Sequence, residues 1–234
     1  RDIREKTLWV PLILRIPPLR SKLIEGIRSV LYEHAEDRKK FLDKTGHRVY
    51  DGWLREKKHE WVRISFLGAA RQVGRSCLLL QTPESRILLD CGIDVSQEGP
   101  ESYPFLDAPE FNINEIDAVI ISHAHIDHTG LIPYLFKYGY QGPVYCTEPT
   151  RDIMALLQLD MIKIQRSEGQ DPIYTTEDVR KMVLHTICID YDSVTDITPD
   201  MRLTFYNAGH MLGSAIVHLN IGNGLHNLVY RGDI

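Results

Sequence analysis

Ala118-Val119-Ile120-Ile121-Ser122-His123-Ala124-His125-Ile126-Asp127-His128-Thr129-Gly130 decides how the rest of the chain is laid out. Residues 118–122 read as a buried strand, and His123, His125, Asp127 and His128 follow at once. In extended backbone alternate side chains share a face, so His123 and His125 can converge on one ion. Asp127 and His128 fall where the strand should turn into a helix, and can face a second ion beside the first. Imidazole nitrogen with carboxylate oxygen is a ligand set suited to zinc. The competing reading is polar residues merely crowded at a strand-to-helix turn. Three histidines and an aspartate at this spacing speak against it.

Downstream of that stretch, Leu131 to Tyr138 fits a short helix and Pro143 to Cys146 a brief strand. Thr147 is placed to cap a longer helix running towards Gln165, and Thr175 or Thr176 starts another with Glu177 and Asp178 in its first turn. Met201 to Asn207, Ser214 to Ile221 and Leu225 to Arg231 read as strands, the last two joined by Gly222-Asn223-Gly224, a hairpin signal. Gly139-Tyr140-Gln141-Gly142 has the GxxG pattern of RNA-clamping modules. Its position between a helix and a strand favours a plain turn.

Upstream, Trp61 to Leu67, Ser76 to Gln81 and Arg86 to Asp90 read as strands, and residues 92–113 as a long loop of the kind that is often functional. Strands dominate both ends of residues 61–234 and helices fill the middle, so the expected class is α/β, two sheets flanked by helices. Residues 1–59 are different. Leu8 to Ile16 reads as a strand closed by Pro17-Pro18. Ser21 caps an amphipathic helix with a charged continuation from Glu33 to Lys44, and Gly46 reads as its stop. One strand and one or two helices cannot bury a core alone, so this front piece reads as the tail of another domain plus a linker, ending near Lys57–Glu60.

The net charge of −5 over 234 residues hides an asymmetry. Residues 1–60 carry 15 basic and 10 acidic side chains, and the remainder carries 12 and 22. A basic front can approach a polyanion. The acidic remainder argues against nonspecific coating of DNA, yet an acidic metal site is compatible with a phosphate substrate once cations are bound. Cys77, Cys91, Cys146 and Cys188 form no CxxC and read as buried free thiols of a reducing cytoplasm. No apolar run approaches the ~20 residues of a membrane span.

A two-metal site needs more than His123 to His128 supply. Three further candidates stand at strand ends: Asp90 after Ile87-Leu88-Leu89, His210 in Asn207-Ala208-Gly209-His210-Met211-Leu212-Gly213-Ser214, and Asp233 in Tyr230-Arg231-Gly232-Asp233. Polar residues at strand exits, beside glycines that let backbones come close, are where sheet scaffolds carry chemistry. In this order of motifs the chain resembles the metallo-β-lactamase superfamily, and within it the β-CASP nucleases. It is similar to the archaeal homologues of cleavage and polyadenylation specificity factor. Gly74-Arg75-Ser76-Cys77, the NAGHMLGS segment and LRIPPLRSK near the front belong to the likeness, which extends over essentially the whole chain.

The resemblance implies the N-terminal part of an αββα metallo-β-lactamase fold at residues 60–234, preceded at 1–59 by the end of a KH-like RNA-binding domain and a linker. It implies two zinc ions. His123, His125 and His210 go to the first, Asp127 and His128 to the second, and Asp233 bridges, while Asp90 braces the histidine-rich loop from behind. Asp127, His128 and Asp233 are the implied catalytic residues, Asp127 also accepting a proton from water. The implied reaction is hydrolysis of single-stranded RNA in a cytoplasmic protein that dimerises through parts beyond these residues. Arg231 and Ile234 depart from the family, which has a threonine and an aromatic there. The last ligand of the second zinc and the general acid would lie beyond Ile234, so the expectation for these residues alone is an open second site and no catalysis.

Two rivals stand beside this reading. One is a small-molecule hydrolase of the same fold, a thioesterase or lactamase, which shares the histidine motif. The other is a non-catalytic scaffold of an RNA-processing complex, which usually loses several ligands. His185 and His218 read as core or supporting residues, and His34, His47, His59 and His226 as surface. Asp94, Asp107 and Asp117 can support the long loop.

Overall fold

A computed structural model of the chain describes residues 61–234 except Asn223 and Ile234, together with Glu36, Lys39, Lys40, Leu42, Asp43, Lys44, Gly46 and His47. The chain divides into two compact units, residues 1–47 and 48–234. The expected strand at Leu8–Ile16, the helix start at Ser21 and the KH-like end lie outside the described residues. All eight described positions from Glu36 to His47 are helical, and all but Lys44 are exposed, as a charged helix face requires. Gly46 is not the helix stop. It and His47 are both helical, and Gly46 does not take the positive φ that a glycine terminating a helix adopts.

Residues 61–234 form two stacked sheets. The first has six strands in sequence order: β1 (Arg63–Phe66), β2 (Leu78–Gln81), β3 (Arg86–Leu89), β4 (Ala118–Ile120), β5 (Val144–Cys146) and β6 (Thr186–Cys188). β1, β2 and β3 are antiparallel neighbours, and β3 to β6 run parallel. The second sheet is an antiparallel meander of β7 (Thr195–Thr198), β8 (Met201–Asn207), β9 (Ala215–Ile221) and β10 (His226–Arg231). Neither β6 nor β7 is anticipated by the sequence pattern. Both are short edge strands.

The period-2 alternation of strands explains why the central ones are apolar throughout. Leu79, Leu88, Val119 and Val144 face a core shared with the helices, where Ile132, Leu135, Met154, Ile162, Val179 and Met182 meet them. Leu80, Ile87, Leu89, Ala118 and Ile120 face the other way and interleave with Leu203, Phe205, Val217 and Leu219 of the second sheet. Helices α1 (Ile126–Thr129), α2 (Ile132–Lys137), α3 (Glu148–Ser167) and α4 (Thr176–Leu184) all pack on the first sheet. The layers among the described residues are therefore helix, sheet and sheet.

Caps fix the helix starts. Thr147 Oγ1 accepts from Thr150 N at the head of α3. Thr175 and Asp178 form a reciprocal capping box at α4. Gly139 (φ 100°) ends α2, and a Cβ on Gly142 would fall 2.5 Å from the Tyr140 hydroxyl, so this GxxG serves the turn into β5. Residues 92–113 are mostly loop with a 3-10 turn at Gly99–Ser102, and Tyr103, Leu106, Ala108 and Phe111 fold down onto the helical core. Among the described helices none is long and apolar enough to cross a membrane.

Candidate metal centre

The site is assembled where β3, β4, β8 and β10 end. β4 delivers Ser122 and then an extended His123-Ala124-His125, so both rings reach the same point: His123 Nε2 lies 3.1 Å from His125 Nδ1. The backbone then turns into α1, whose first turn carries Asp127 and whose last carries His128. Cys91, Gly92 and Ile93 run alongside this turn, with Cys91 N donating to His128 O (2.8 Å) and Ile93 N to Ile126 O (3.1 Å). Ser76 N donates to Asp127 O (2.8 Å) and Gly92 N to Ser76 O, so the Gly74–Cys77 segment clamps the same turn from the far side. A Cβ on Gly92 would sit 1.7 Å from the Asp127 carbonyl oxygen, which leaves room for glycine alone.

The His210 loop after β8 is held at both ends. Ser214 Oγ accepts from His210 N and Met211 N (3.1 Å each). Gly213 O accepts from Thr147 Oγ1 (2.7 Å) and Thr150 Oγ1 (2.9 Å) of the α3 start, and Ala215 N donates to Ser122 O (2.7 Å). This brings His210 Nε2 to 3.2 Å from His125 Nδ1, across 85 residues of sequence. Asp233 arrives from β10 over Gly232, which packs against Ser122. Its Oδ2 is 3.8 Å from both His123 Nε2 and His210 Nε2, and its Oδ1 is 3.6 Å from His128 Nε2. His128 Nε2 is in turn 3.7 Å from Asp127 Oδ2.

Six side chains expected as ligands thus fall into two adjoining groups. His123, His125, His210 and Asp233 form one, and Asp127, His128 and Asp233 the other, with the donor atoms of each within 4.8 Å of one another. Ring nitrogens at 3.1–3.2 Å cannot all be satisfied by hydrogen bonds, since two facing neutral imidazoles share one proton at most. A tetrahedral ion with metal–nitrogen bonds of about 2.05 Å holds its nitrogens about 3.3 Å apart, close to what is seen. The donor set therefore fits a divalent cation.

Asp90 is the organiser behind the candidate ligands. It is fully buried with a φ of 57°, a strained position that turns the carboxylate into the site. Its Oδ1 accepts from Ser122 N (2.7 Å), and its Oδ2 from Ser122 Oγ (2.7 Å), His128 Nδ1 (2.7 Å) and Tyr230 Oη (2.8 Å). Burial pushes this carboxyl up, but the His128 bond and charge and the two Ser122 bonds outweigh it and hold it below the usual range. Burial likewise pushes His128 down, and the bond and charge of Asp90, with Asp127 and Asp233, more than reverse it.

The same network fixes the His123 tautomer. The single proton of Ser122 Oγ goes to Asp90, so the contact of 3.0 Å between Ser122 Oγ and His123 Nδ1 must be donated by the ring. Its Nε2 is left as a lone pair facing the group. Burial, followed by the neighbouring His128 charge, holds His123 down at about 4, which keeps that lone pair free at neutral pH. The site is closed behind and open in front: His123 and His128 are buried, whereas the Asp233 side chain is 50% exposed.

Ser122, Tyr230 and Gly92 are supporting residues that the sequence pattern passes over. Ser122 is visible only as the last polar residue before the histidines, and Tyr230 as one more aromatic in a strand. Arg75 is buried, donating to Tyr103 O (2.9 Å) and stacked on Phe105. It lines a cavity of about 530 Å³ with Tyr103, Leu131 and Tyr134 that contains none of the candidate ligands. Of the loop aspartates, Asp94 accepts from Ser96 N and Oγ, and Asp117 accepts from Arg86 N at the start of β3. His185 and His218 are half-buried away from the site, and His47 and His226 are exposed. Cys77, Cys91 and Cys146 are buried as expected, but Cys188 is exposed because it lies on the edge strand β6.

Residues 79–234 match the family model described as "Metallo-beta-lactamase superfamily domain". The chain is 53% identical over its whole length to a protein of Methanothermobacter thermautotrophicus named transcription termination factor FttA. It is 52% identical over 99% of its length to the protein of that name from Methanocaldococcus jannaschii. It spans 36% of the length of each of these relatives. Among solved structures it is similar to MEM-A1, a subclass B3 metallo-β-lactamase from a soil metagenome library, with 21% identity and a TM-score of 0.47 over 71% of this chain and 58% of that one.

Proposed function

The chain belongs to the metallo-β-lactamase superfamily, and from that premise we propose that it supplies the metal-binding part of a zinc-dependent nuclease that hydrolyses RNA phosphodiester bonds. One observation carries the reading: the two carboxylate oxygens of Asp233 face different groups, Oδ2 towards His123 and His210 and Oδ1 towards His128. A carboxylate shared between two donor sets suits a pair of cations held side by side. In this reading His123, His125 and His210 hold one zinc, Asp127 and His128 help to hold a second, and Asp233 spans both. When bound, such a pair activates water and screens the charge of a phosphoryl group.

The chain's own residues do the positioning. Asp90 and Ser122 hold the His123 and His128 rings in the tautomers that point Nε2 outward. Asp127, partly exposed at the mouth, is placed to take up a proton released there. The relatives' name, transcription termination factor, favours RNA made by transcription as the substrate and the end of a transcript as the place of action. The basic residues 1–60 supply the charge complement.

The test has two parts. Zinc content of the purified chain is measured before and after His125→Ala, with a loss expected. End-labelled single-stranded RNA is then offered beside a thioester to a protein of the relatives' full length that carries these residues. Zinc-dependent RNA cleavage supports the reading. Thioester hydrolysis without RNA cleavage would replace it by a small-molecule hydrolase, and zinc binding with neither activity by a scaffold.

A further inference from the structure

Next to β4 and outside the candidate ligand groups, β5 and β6 end on paired cysteines. They run parallel in a register that sets Cys146 directly against Cys188, the last residue of each strand. Neighbouring strands lie about 4.8 Å apart, inside the 4.4–6.8 Å window of disulfide-linked Cα atoms. Paired positions on adjacent strands share a face, so both side chains lie on the helical side of the sheet, under the start of α3. Cys146 is fully buried and Cys188 is exposed. Among the described strands β6 is at the edge of its sheet and bonds to β5 alone, so it can shift without breaking a second ladder there.

The surroundings of the two thiols differ in a way that assigns roles. Arg151 of α3 donates from Nη1 to Cys188 Sγ at 3.4 Å. A hydrogen bond from the Cys146 thiol and then the Arg151 charge bring Cys188 down to about 7, against burial and the opposing carboxylates of Glu148 and Asp152. Cys146 is pushed well above the usual thiol value, first by that same bond and then by burial. The exposed sulfur is therefore the one that ionises more readily, and the buried one the one that keeps its proton. The other adjacent thiols, Cys77 and Cys91, are both fully buried.

We propose that Cys188 is a peroxide-reactive thiol which Cys146 resolves into a reversible cross-strand disulfide. The Cys188 thiolate attacks one oxygen of a hydroperoxide. An S–O bond forms, the O–O bond breaks, and the departing oxygen takes a proton to leave as water or alcohol, which gives the sulfenic acid. Cys146 then attacks that sulfur. The S–S bond forms, the S–O bond breaks, and the hydroxide leaves as water with the Cys146 proton. Two thiols lose two electrons and the peroxide gains them.

The test uses the purified chain and hydrogen peroxide. Stoichiometric peroxide at pH 7 followed by non-reducing peptide mapping should give an intramolecular Cys146–Cys188 disulfide that dithiothreitol removes, with Cys77 and Cys91 unmodified. Cys146→Ser or Cys146→Ala should stop the reaction at a Cys188 sulfenic acid that dimedone traps, and either variant suffices if the other fails to fold. Cys188 should react with iodoacetamide roughly fivefold faster at pH 7 than an unactivated exposed thiol, because its larger thiolate fraction outweighs its lower nucleophilicity. Arg151→Gln should slow that reaction and raise its pH midpoint. An alkylation rate equal to that of an unactivated thiol would overturn the proposal. So would peroxide treatment that leaves Cys146 reduced while Cys188 is over-oxidised or pairs between molecules.

Discussion

Asp90 Oδ2 lies 2.7 Å from His128 Nδ1 in a fully buried pocket, and this contact decides which nitrogen His128 offers to the metal site. A carboxylate can only accept here, so Nδ1 carries the proton and Nε2 faces Asp127 and Asp233. The same oxygen anchors Ser122, which sets the His123 ring. One side chain thereby orients two of the six candidate ligands without being a ligand itself. Asp90→Asn keeps the shape but turns one acceptor oxygen into a donor facing other donors. Zinc affinity should fall by roughly 10- to 100-fold, with about 2–3 kcal/mol lost from the metal-free fold through the broken buried network. Competition titration with a zinc chelator and urea unfolding check the two parts, and an unchanged affinity would sink the bracing role.

Tyr230 reaches the same carboxylate from β10, donating its hydroxyl to Asp90 Oδ2 at 2.8 Å. Burial, followed by the Asp90 charge, pushes this phenol far above its ordinary value, so it remains a donor throughout the working pH range. Tyr230→Phe removes a hydrogen bond to a charged group, worth about 1.5–3 kcal/mol. Because the partner is shared, the loss should not add to that of Asp90→Asn. A double-mutant cycle should give a coupling of about 1 kcal/mol or more, and simple additivity within 0.5 kcal/mol would show the hydroxyl to be a bystander.

Asp233 allows the shared-carboxylate reading to be separated from a single-metal site. It touches both donor groups, whereas His210 belongs to one. His210→Ala should weaken one class of zinc sites, and Asp233→Ala should weaken both. The Asp233 side chain is half exposed, so the metal-free fold should keep its stability within about 0.5 kcal/mol. The informative quantity is the stabilisation added by zinc, about 2.7 kcal/mol at a concentration a hundred times the dissociation constant. Asp233→Ala should abolish most of it, as read by thermal unfolding with zinc and with chelator. An Asp233→Ala protein that still binds as much zinc as His210→Ala would refute the bridge.

The candidate ligands were legible because strand alternation and the strand-to-helix turn concentrate four of them in residues 123–128. His210 and Asp233 were legible as polar residues beside glycines at strand ends, and their grouping needed the family's order of motifs. What the sequence could not reveal was anything that depends on close approach between distant segments. Ser122 and Tyr230 look ordinary until 140 residues of chain bring Tyr230 back to Asp90. β6 and β7, at three and four residues, are too short to set up a periodicity. Exposed Cys188 looked like its buried fellows because its neighbours Thr186 and Ile187 are strand formers whether the strand is central or at an edge. Gly46 reads as a stop by residue type, but the signal of a terminating glycine is a positive φ, and Gly46 is helical without one.

Gly92 offers a test of how tightly the Asp127 turn is held. A Cβ there would lie 1.7 Å from Asp127 O, 2.0 Å from its carbonyl carbon and 2.5 Å from His128 N, all backbone atoms that cannot rotate aside. Gly92→Ala must therefore move the turn that carries two candidate ligands or push apart the strand ends that bracket it, at an expected cost above about 3 kcal/mol. Gly99→Ala is the matched control. Gly99 has nothing within 4 Å of its added Cβ, but its φ of 65° disfavours any side chain, so about 1 kcal/mol should be lost without any change at the metal site. Urea unfolding together with zinc titration separates the two kinds of glycine. Gly92→Ala should lose both stability and zinc, and Gly99→Ala a little stability alone. If Gly92→Ala bound zinc as the parent chain does, the contact between Gly92 and the Asp127 turn would have to be looser than the structure has it.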